Sequence, residues 1–380
     1  MNARYFQALA LLVGTIIGVG MFALPYVIAQ TGFLLGVLEL VFLTGVILAI
    51  HLMYGDIVLS RPELHQLPGY VSHYLGRSWR AVASASSSAG LLGAMVVYVI
   101  LGTKFLGALM APWLGDFTYH AAVILFLVTG LSVFFYNSWI STEINGVFSA
   151  MLIFFMVVLI TLGILFGNFG FIAKIDVSRA AIPYGVILFA LAGTSVIPRV
   201  RETLASDGRY LRSVILWGTL APAVLYSLFT AAILASSGGG VSQDAISGIA
   251  EKLGEPAAIL GNLIGFLAII TSFIGVGLTF KELLNIDFGV KKNLAWVITS
   301  FLPFILVAMG ISDFIRVISF VGALTIGTEG VLIVSMWKSL SVHCVLGRFP
   351  ALAAYGMVAM FMLGVIYEIT RTCAGIARCF

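Results

Sequence analysis

Residues 33–58 form one apolar run in which Glu39 and Asp56 are the charged residues. A run of this length constrains the chain more than anything else in it, because roughly 20 apolar residues make a helix that spans the hydrocarbon core of a bilayer. Comparable runs recur along the sequence. Eleven helical segments are expected, near residues 6–30, 33–58, 80–111, 119–137, 143–166, 183–200, 209–236, 257–284, 292–309, 313–336 and 350–370. They are apolar nearly all round, so length rather than periodicity identifies them. The short alternating segments of a membrane β-barrel are absent. Hydrophobic residues make up 61% and charged residues 9%, against roughly 45–50% and about 25% in soluble domains. That leaves too little polar surface to face water. The expectation is one all-α integral membrane domain over residues 1–380, in contact with membrane lipid.

The first segment does not read as a cleaved signal peptide. Its run is too long, contains Gly14, Gly18, Gly20 and Pro25, and lacks a small-residue cleavage site after it. Basic residues orient the spans. With the N-terminus cytoplasmic, the inner side holds Arg4, Arg61, Arg77, Arg80, Arg199, Arg201, Arg209, Arg212, Lys281, Lys291, Lys292, Lys338 and Arg348. The outer side holds Lys174, Arg179, Lys252, Arg316, Arg371 and Arg378. The bias favours N-inside in a cytoplasmic (inner) membrane, although the inner loop at 137–143 has no basic residue. These residues sit in short loops rather than one patch, so nothing points to nucleic acid.

Two segments are built to break. The first reads Gly14-Thr-Ile-Ile-Gly18-Val-Gly20-Met-Phe-Ala-Leu-Pro25. Each glycine weakens a helix by roughly 1 kcal/mol relative to alanine, and Pro25 removes a backbone donor and crowds the preceding turn. The sixth reads Gly185-Val-Ile-Leu-Phe189-Ala-Leu-Ala-Gly193-Thr194-Ser195-Val-Ile-Pro198. Gly20 precedes Pro25 by five positions, as Gly193 precedes Pro198. Interrupted spans at matching places in two halves point to an inverted-repeat transporter, here with repeats near 6–166 and 183–336 and an extra helix near 350–370. Unwound backbone inside a membrane persists only where it lines a cavity. There it offers N–H groups to a carboxylate and carbonyls to an amine or a cation, which is what a zwitterionic amino acid requires. The competing reading of the first segment is a Gly14–Gly18 helix-packing face.

Three stretches carry a family resemblance: the Gly14–Pro25 motif, Thr271-Ser272-Phe273-Ile-Gly-Val-Gly-Leu, and Tyr74-Leu-Gly-Arg77. They resemble the bacterial aromatic and hydroxy amino acid permeases of the amino acid/polyamine/organocation superfamily. The resemblance implies a leucine-transporter-like fold of two inverted five-helix repeats, with helices one and six broken at the substrate site. It implies substrate contacts at Ile17, Gly18, Gly20 and Met21, at Phe189, Ala190, Gly193 and Thr194, and a wall at Tyr98. It also implies a cation site between helices one and eight, made by Gly14, Ile17, Ala268, Thr271 and Ser272. Hydroxyls and carbonyls without net charge suit a monovalent cation, and both Na⁺-coupled and H⁺-coupled members are implied. The alternative is that Thr271 and Ser272 bond back to their own helix.

Ionisable residues inside spans are candidates for gating or coupling. Lys104 either snorkels outward or acts in gating, and Glu39 is within pairing range of it. Asp56 faces headgroups or pairs with Arg199 or Arg201 at an inner gate. His51 reads as a packing histidine, whereas Glu329 sits well inside its span and is a candidate for the permeation path. Glu143 and Glu202 fall at span ends; Trp79, Trp113, Trp139 and Trp337 fall near interfaces, as an aromatic belt would. An outer loop over 236–255 is expected to hold a short helix over a vestibule.

Cys344, Cys373 and Cys379 form no metal or disulfide framework. The histidines at 51, 65, 73, 120 and 343 are scattered, and HExxH, GxSxG and GxxxxGK[ST] motifs are absent. A membrane enzyme, a primary pump and a channel are therefore disfavoured, and no cofactor is expected beyond Na⁺ or H⁺ as coupling ion. The expected activity is secondary transport of a small amino acid. The alternative is a membrane ligand sensor, such as a germinant-receptor subunit, that kept the fold.

Overall fold

A computed structural model describes residues 3–136, 141–168, 170, 175–205, 207–237, 240–248, 254–341, 345–347 and 349–377. Of the positions marked above, Trp139, Lys174, Lys252, His343, Cys344, Arg348, Arg378 and Cys379 lie outside the described residues, as does part of the 236–255 loop.

The described chain is helical throughout. In order come α1 (Ala3–Ile16), α2 (Gly20–Thr31), α3 (Phe33–Leu59), α4 (Leu67–Tyr74), α5 (Arg77–Leu114), α6 (Thr118–Tyr136) and α7 (Ser141–Phe166). Then follow α8 (Pro183–Ala190), α9 (Ile197–Leu204), α10 (Leu211–Ser237), α11 (Glu255–Ile286), α12 (Lys292–Ala308), α13 (Phe314–Val321), α14 (Gly327–Trp337) and α15 (Ala351–Ala377). A π-helical turn, Gly322–Ile326, joins α13 to α14. The helices fall on the expected segments with boundaries shifted by a few residues. One was not expected: α4 follows the second segment and buries Leu67, Pro68, Tyr70 and Val71.

Among the described residues, seven helical stretches are long and apolar enough to cross a membrane, or eight with the bent pair α1–α2 counted as one. Among them, Arg77–Phe135 folds back on itself. Gly115, at φ 50°, turns the chain, so that Gly102 packs on Phe126 and Gly107 on Thr118. Gly32, at φ 91°, likewise ends α2 and opens α3 without a pause. The outer surface carries large apolar side chains, among them Phe42, Phe135, Phe154, Leu352 and Leu363. Water would not tolerate so continuous an apolar coat, and the protein is a multi-pass membrane protein.

The element order repeats. A broken helix (α1–α2, bent by 52°) is followed by α3, α5, α6 and α7. A second broken helix (α8–α9) is followed by α10, α11, α12 and α13–α14, with α15 beyond. The second break does not bend its span by more than 40°. At the centre, α2 packs on α8, α1 on α10, and α8 on α13 and the π turn. Gly185 and Gly322 bring backbone against backbone there, with no room for a methyl on either.

Candidate functional site

The α1 ladder ends where the Ile17 amide bonds Val13, 2.8 Å away. The next amide, at Val19, has no backbone acceptor among the described residues, and the carbonyls of Gly14, Thr15 and Ile17 have no backbone donor there. The second break is similar. After Ala190, the amides of Gly193, Thr194 and Ser195 and the carbonyls of Leu188, Leu191 and Ala192 have no backbone partner among the described residues. Helix ends always leave such groups; here two pairs of ends leave them at one place.

The two breaks touch. A methyl built on Gly20 would stand 2.6 Å from the Ala190 Cα, and one on Gly193 would meet Ile16 and the His51 ring at 3.0 Å. Gly18 differs: the nearest atom to a methyl there is the Thr15 carbonyl oxygen at 4.0 Å, with open space beyond. Ile17, Met21, Ala190 and Thr194 are buried, Phe189 is partly buried, and Ser195 is exposed. Tyr98, on α5, is buried and interacts with both Tyr226 and Ser272.

Tyr226, on α10, was not anticipated. Its fully buried hydroxyl donates to the Ile16 carbonyl at 2.6 Å and lies 3.3 Å from the Ala190 carbonyl. One side chain thus reaches the ends of both α1 and α8. Two turns earlier, the Thr219 hydroxyl is 2.9 Å from Nδ1 of the buried His51. Nothing local marks Tyr226 in the sequence; a tyrosine in an apolar run reads as packing.

Glu329, on α14, accepts hydrogen bonds from Ser87 of α5 (3.2 Å) and from Thr194 at the second break (2.9 Å). The adjacent Thr325 carbonyl accepts from Ser86 at 3.3 Å, beside the π turn. A π turn is a frequent mark of a functional position in a helix. The structure thus gathers Ile17, Gly18, Gly20, Ala190, Gly193 and Thr194 around one centre, with Glu329 at its edge.

Several expectations need correction. The Thr271 hydroxyl bonds back to Leu267 (3.2 Å) and Ala268 (3.0 Å) of its own helix. α11, which carries Ala268, Thr271 and Ser272, packs on α5, α6, α7 and α12 rather than extensively on α1. The Thr271 bond uses the hydroxyl's proton and leaves its lone pairs for a cation, so it does not by itself decide the expected cation site with Gly14 and Ile17. Asp56 pairs with neither Arg199 nor Arg201 and faces no headgroups. It is buried and accepts from the Trp337 indole (2.9 Å) and the Val345 (2.5 Å) and Leu346 (3.2 Å) amides. Trp337 is for the same reason a buried anchor and not part of a belt; Trp79 and Trp113 are exposed. Arg199 is exposed and Arg201 turns to Tyr70.

Lys104 does not pair with Glu39, one of whose carboxylate oxygens is buried without a partner among the described residues. Its ammonium lies 2.5 Å from Asp244 of the loop after α10. Burial pushes the Asp244 carboxyl up, but Lys104, Ser247 and Ser242 together outweigh it and hold it below the usual carboxylate range. The loop's Ala245 and Ile246 are buried, and beneath them Phe22 meets Phe105 edge-on at 5.3 Å between ring centres. No cluster of three potential metal ligands exists among the described residues.

A family model described as the tryptophan/tyrosine permease family matches residues 1–369. Tyrosine-specific transport system 1 of Haemophilus influenzae is 27% identical over 357 residues, 88% of each chain. Glutamine transporter 2 of Aliivibrio fischeri is 21% identical over 345 residues, 86% of each. Among solved structures, a manganese transporter of Eremococcus coleocola superposes with a TM-score of 0.71 at 13% identity, covering 98% of this chain and 87% of that one. At that identity the likeness concerns the fold alone.

Proposed function

This chain belongs to the tryptophan/tyrosine permease family, and from that premise we propose that it is a secondary active transporter of an amino acid, aromatic or hydroxy type favoured. It is a permease and not an enzyme. The observation that carries the reading is the apposition of the two breaks. Free amides lie at the starts of α2 and of the turn into α9, and free carbonyls at the ends of α1 and α8. The positive helix ends suit a carboxylate and the negative ends an ammonium. The open space at Gly18 admits a ligand to the main chain. The tyrosine and glutamine transporters among its relatives support an amino acid as the solute.

The N-terminus is cytoplasmic and the membrane is the inner one in this reading. The Asp244 side is then external. Alternating access moves the two halves about the fixed site.

A cation, H⁺ or Na⁺, drives the cycle, and Glu329 is the group in this reading that carries the proton. Both hydroxyl partners donate to the ionised carboxylate; when protonated, the carboxyl donates to one of them. Neither form leaves Glu329 unpaired. Thr194 carries the change to the second break.

Counterflow of labelled amino acids in proteoliposomes tests the transport reading. Accelerated exchange is expected; binding without exchange would mark a sensor instead. Glu329→Gln is expected to abolish uptake driven by a pH gradient and to keep counterflow. Wild-type uptake driven by a Na⁺ gradient and indifferent to pH would overturn the proton assignment.

A further inference from the structure

We propose that Tyr226 is a positioning residue of the substrate site, a clasp that holds the ends of both broken helices in register and leaves the Ala190 carbonyl for the substrate ammonium. The inference rests on the transport reading above and deepens it. Three observations carry it. The hydroxyl is completely buried, so water does not compete for it. It lies 2.6 Å from the Ile16 carbonyl and 3.3 Å from the Ala190 carbonyl, the last helical residues of α1 and α8. The Gly18 amide interacts with the same oxygen.

A phenol has one proton to give. The distances assign it to Ile16 and leave Ala190 weakly served. The Ile16 carbonyl is thereby engaged by the fold, and the Gly18 amide lies by the same hydroxyl. Of the groups nearest Tyr226, the weakly held Ala190 carbonyl on one side and the Val19 amide on the other are open to a zwitterion. Tyr226 thus sorts the free groups of the break into those the fold consumes and those the solute uses.

The rest of α10 makes the clasp stiff. Tyr5 of α1 bonds Ser213 at 3.0 Å, and Gly218 lets Leu12 seat directly on α10. α1 is therefore held along α10 at three levels, and the hydroxyl of Tyr226 extends that hold to α8. A residue that serves packing alone would place its ring here and need no oxygen.

The test is Tyr226→Phe in proteoliposomes, with L-tyrosine as probe, or L-tryptophan should wild-type vesicles prefer it. Loss of the hydroxyl lets the Ile16 carbonyl and the Gly18 amide compete for the substrate. The expected result is a KM for counterflow raised about tenfold, roughly 1.4 kcal/mol, with the maximal rate within about threefold of wild type. Incorporation of 4-aminophenylalanine at position 226, which restores a donor, should recover most of the affinity. An unchanged KM, or equal losses in KM and rate without rescue by the donor, overturns the proposal. Should Tyr226→Phe fail to fold, 3-fluorotyrosine at 226 keeps the hydroxyl and reports on it. Its ¹⁹F resonance should shift on saturation with the probe, and a resonance that does not move overturns the proposal. If wild-type vesicles show no counterflow with any of the twenty amino acids, the transport reading fails instead. The two failures are thereby told apart.

Discussion

Gly18 and Gly20 stand two positions apart in one break, yet their substitution by alanine should have opposite consequences. At Gly20 the added methyl would lie 2.6 Å from the Ala190 Cα, 2.9 Å from its Cβ and 3.2 Å from its amide nitrogen. Carbon atoms rest roughly 3.5–4.0 Å apart, so α2 and α8 must separate by about 1 Å. The obstructing atoms include backbone, which cannot rotate away. Overpacking of this kind costs about 1–3 kcal/mol, and here it also pulls apart the two breaks. At Gly18 the nearest atom is 4.0 Å away and the backbone is not left-handed, so stability should stay within about 0.5 kcal/mol. The methyl does enter the space from which a solute would reach the main chain. Thermal melting in detergent, read beside counterflow of L-tyrosine, separates the two. Gly20→Ala should melt earlier. Gly18→Ala should melt as wild type and lose transport at least tenfold. A Gly20→Ala protein with wild-type melting, or a Gly18→Ala protein with wild-type transport, would refute the account of the break.

Three further outcomes are expected. Asp56→Asn places an amide against three converging N–H donors and forfeits charge-assisted bonds worth about 1.5–3 kcal/mol; a melting curve matching wild type would contradict the anchor role. For Lys104→Met the sign follows from Asp244. Its folded pKa is depressed, so its stabilising contribution is present above the unfolded value, about 3.8–3.9, and is lost as pH falls through the lower folded value. Proteolysis of the 238–254 loop should be equally slow at pH 7 and pH 5 in wild type. Without Lys104, burial is opposed by serine hydroxyls alone, so the variant should be cut fast at pH 7 and less at pH 5; identical rates in both proteins would show that the Lys104–Asp244 pair does not hold the loop. Thr271→Val replaces a hydroxyl already bonded to its own helix, so transport should stay within twofold, and selective loss of Na⁺-driven uptake would reinstate the cation cage.

The breaks were legible because they are local. Glycine spacing and a proline weaken a helix wherever it sits, and Gly14–Pro25 and Gly185–Pro198 carry both. Glu329 was legible for the cost of a charge in lipid, although its partners Ser87 and Thr194 lie far away in the chain. Asp56 misled for the same reason. Its position near a span end resembles that of a gate residue, and only the fold brings Trp337 and the 345–346 amides onto it. Tyr226 was invisible, since a buried hydroxyl is distinguished from a packing ring by what it touches.

Apolar run length and helix-breaking residues by themselves determined that the chain is a helical membrane protein and where its helices fail, because both act through the nearest few residues and the surrounding lipid. Which polar groups then find each other was decided by tertiary structure alone. Lys104 turned to Asp244 instead of Glu39, Asp56 to Trp337 and the 345–346 amides, and Tyr226 to the ends of two helices. Hydrogen bonds reach about 3 Å, and sequence separation carries no information at that range until the helices have packed.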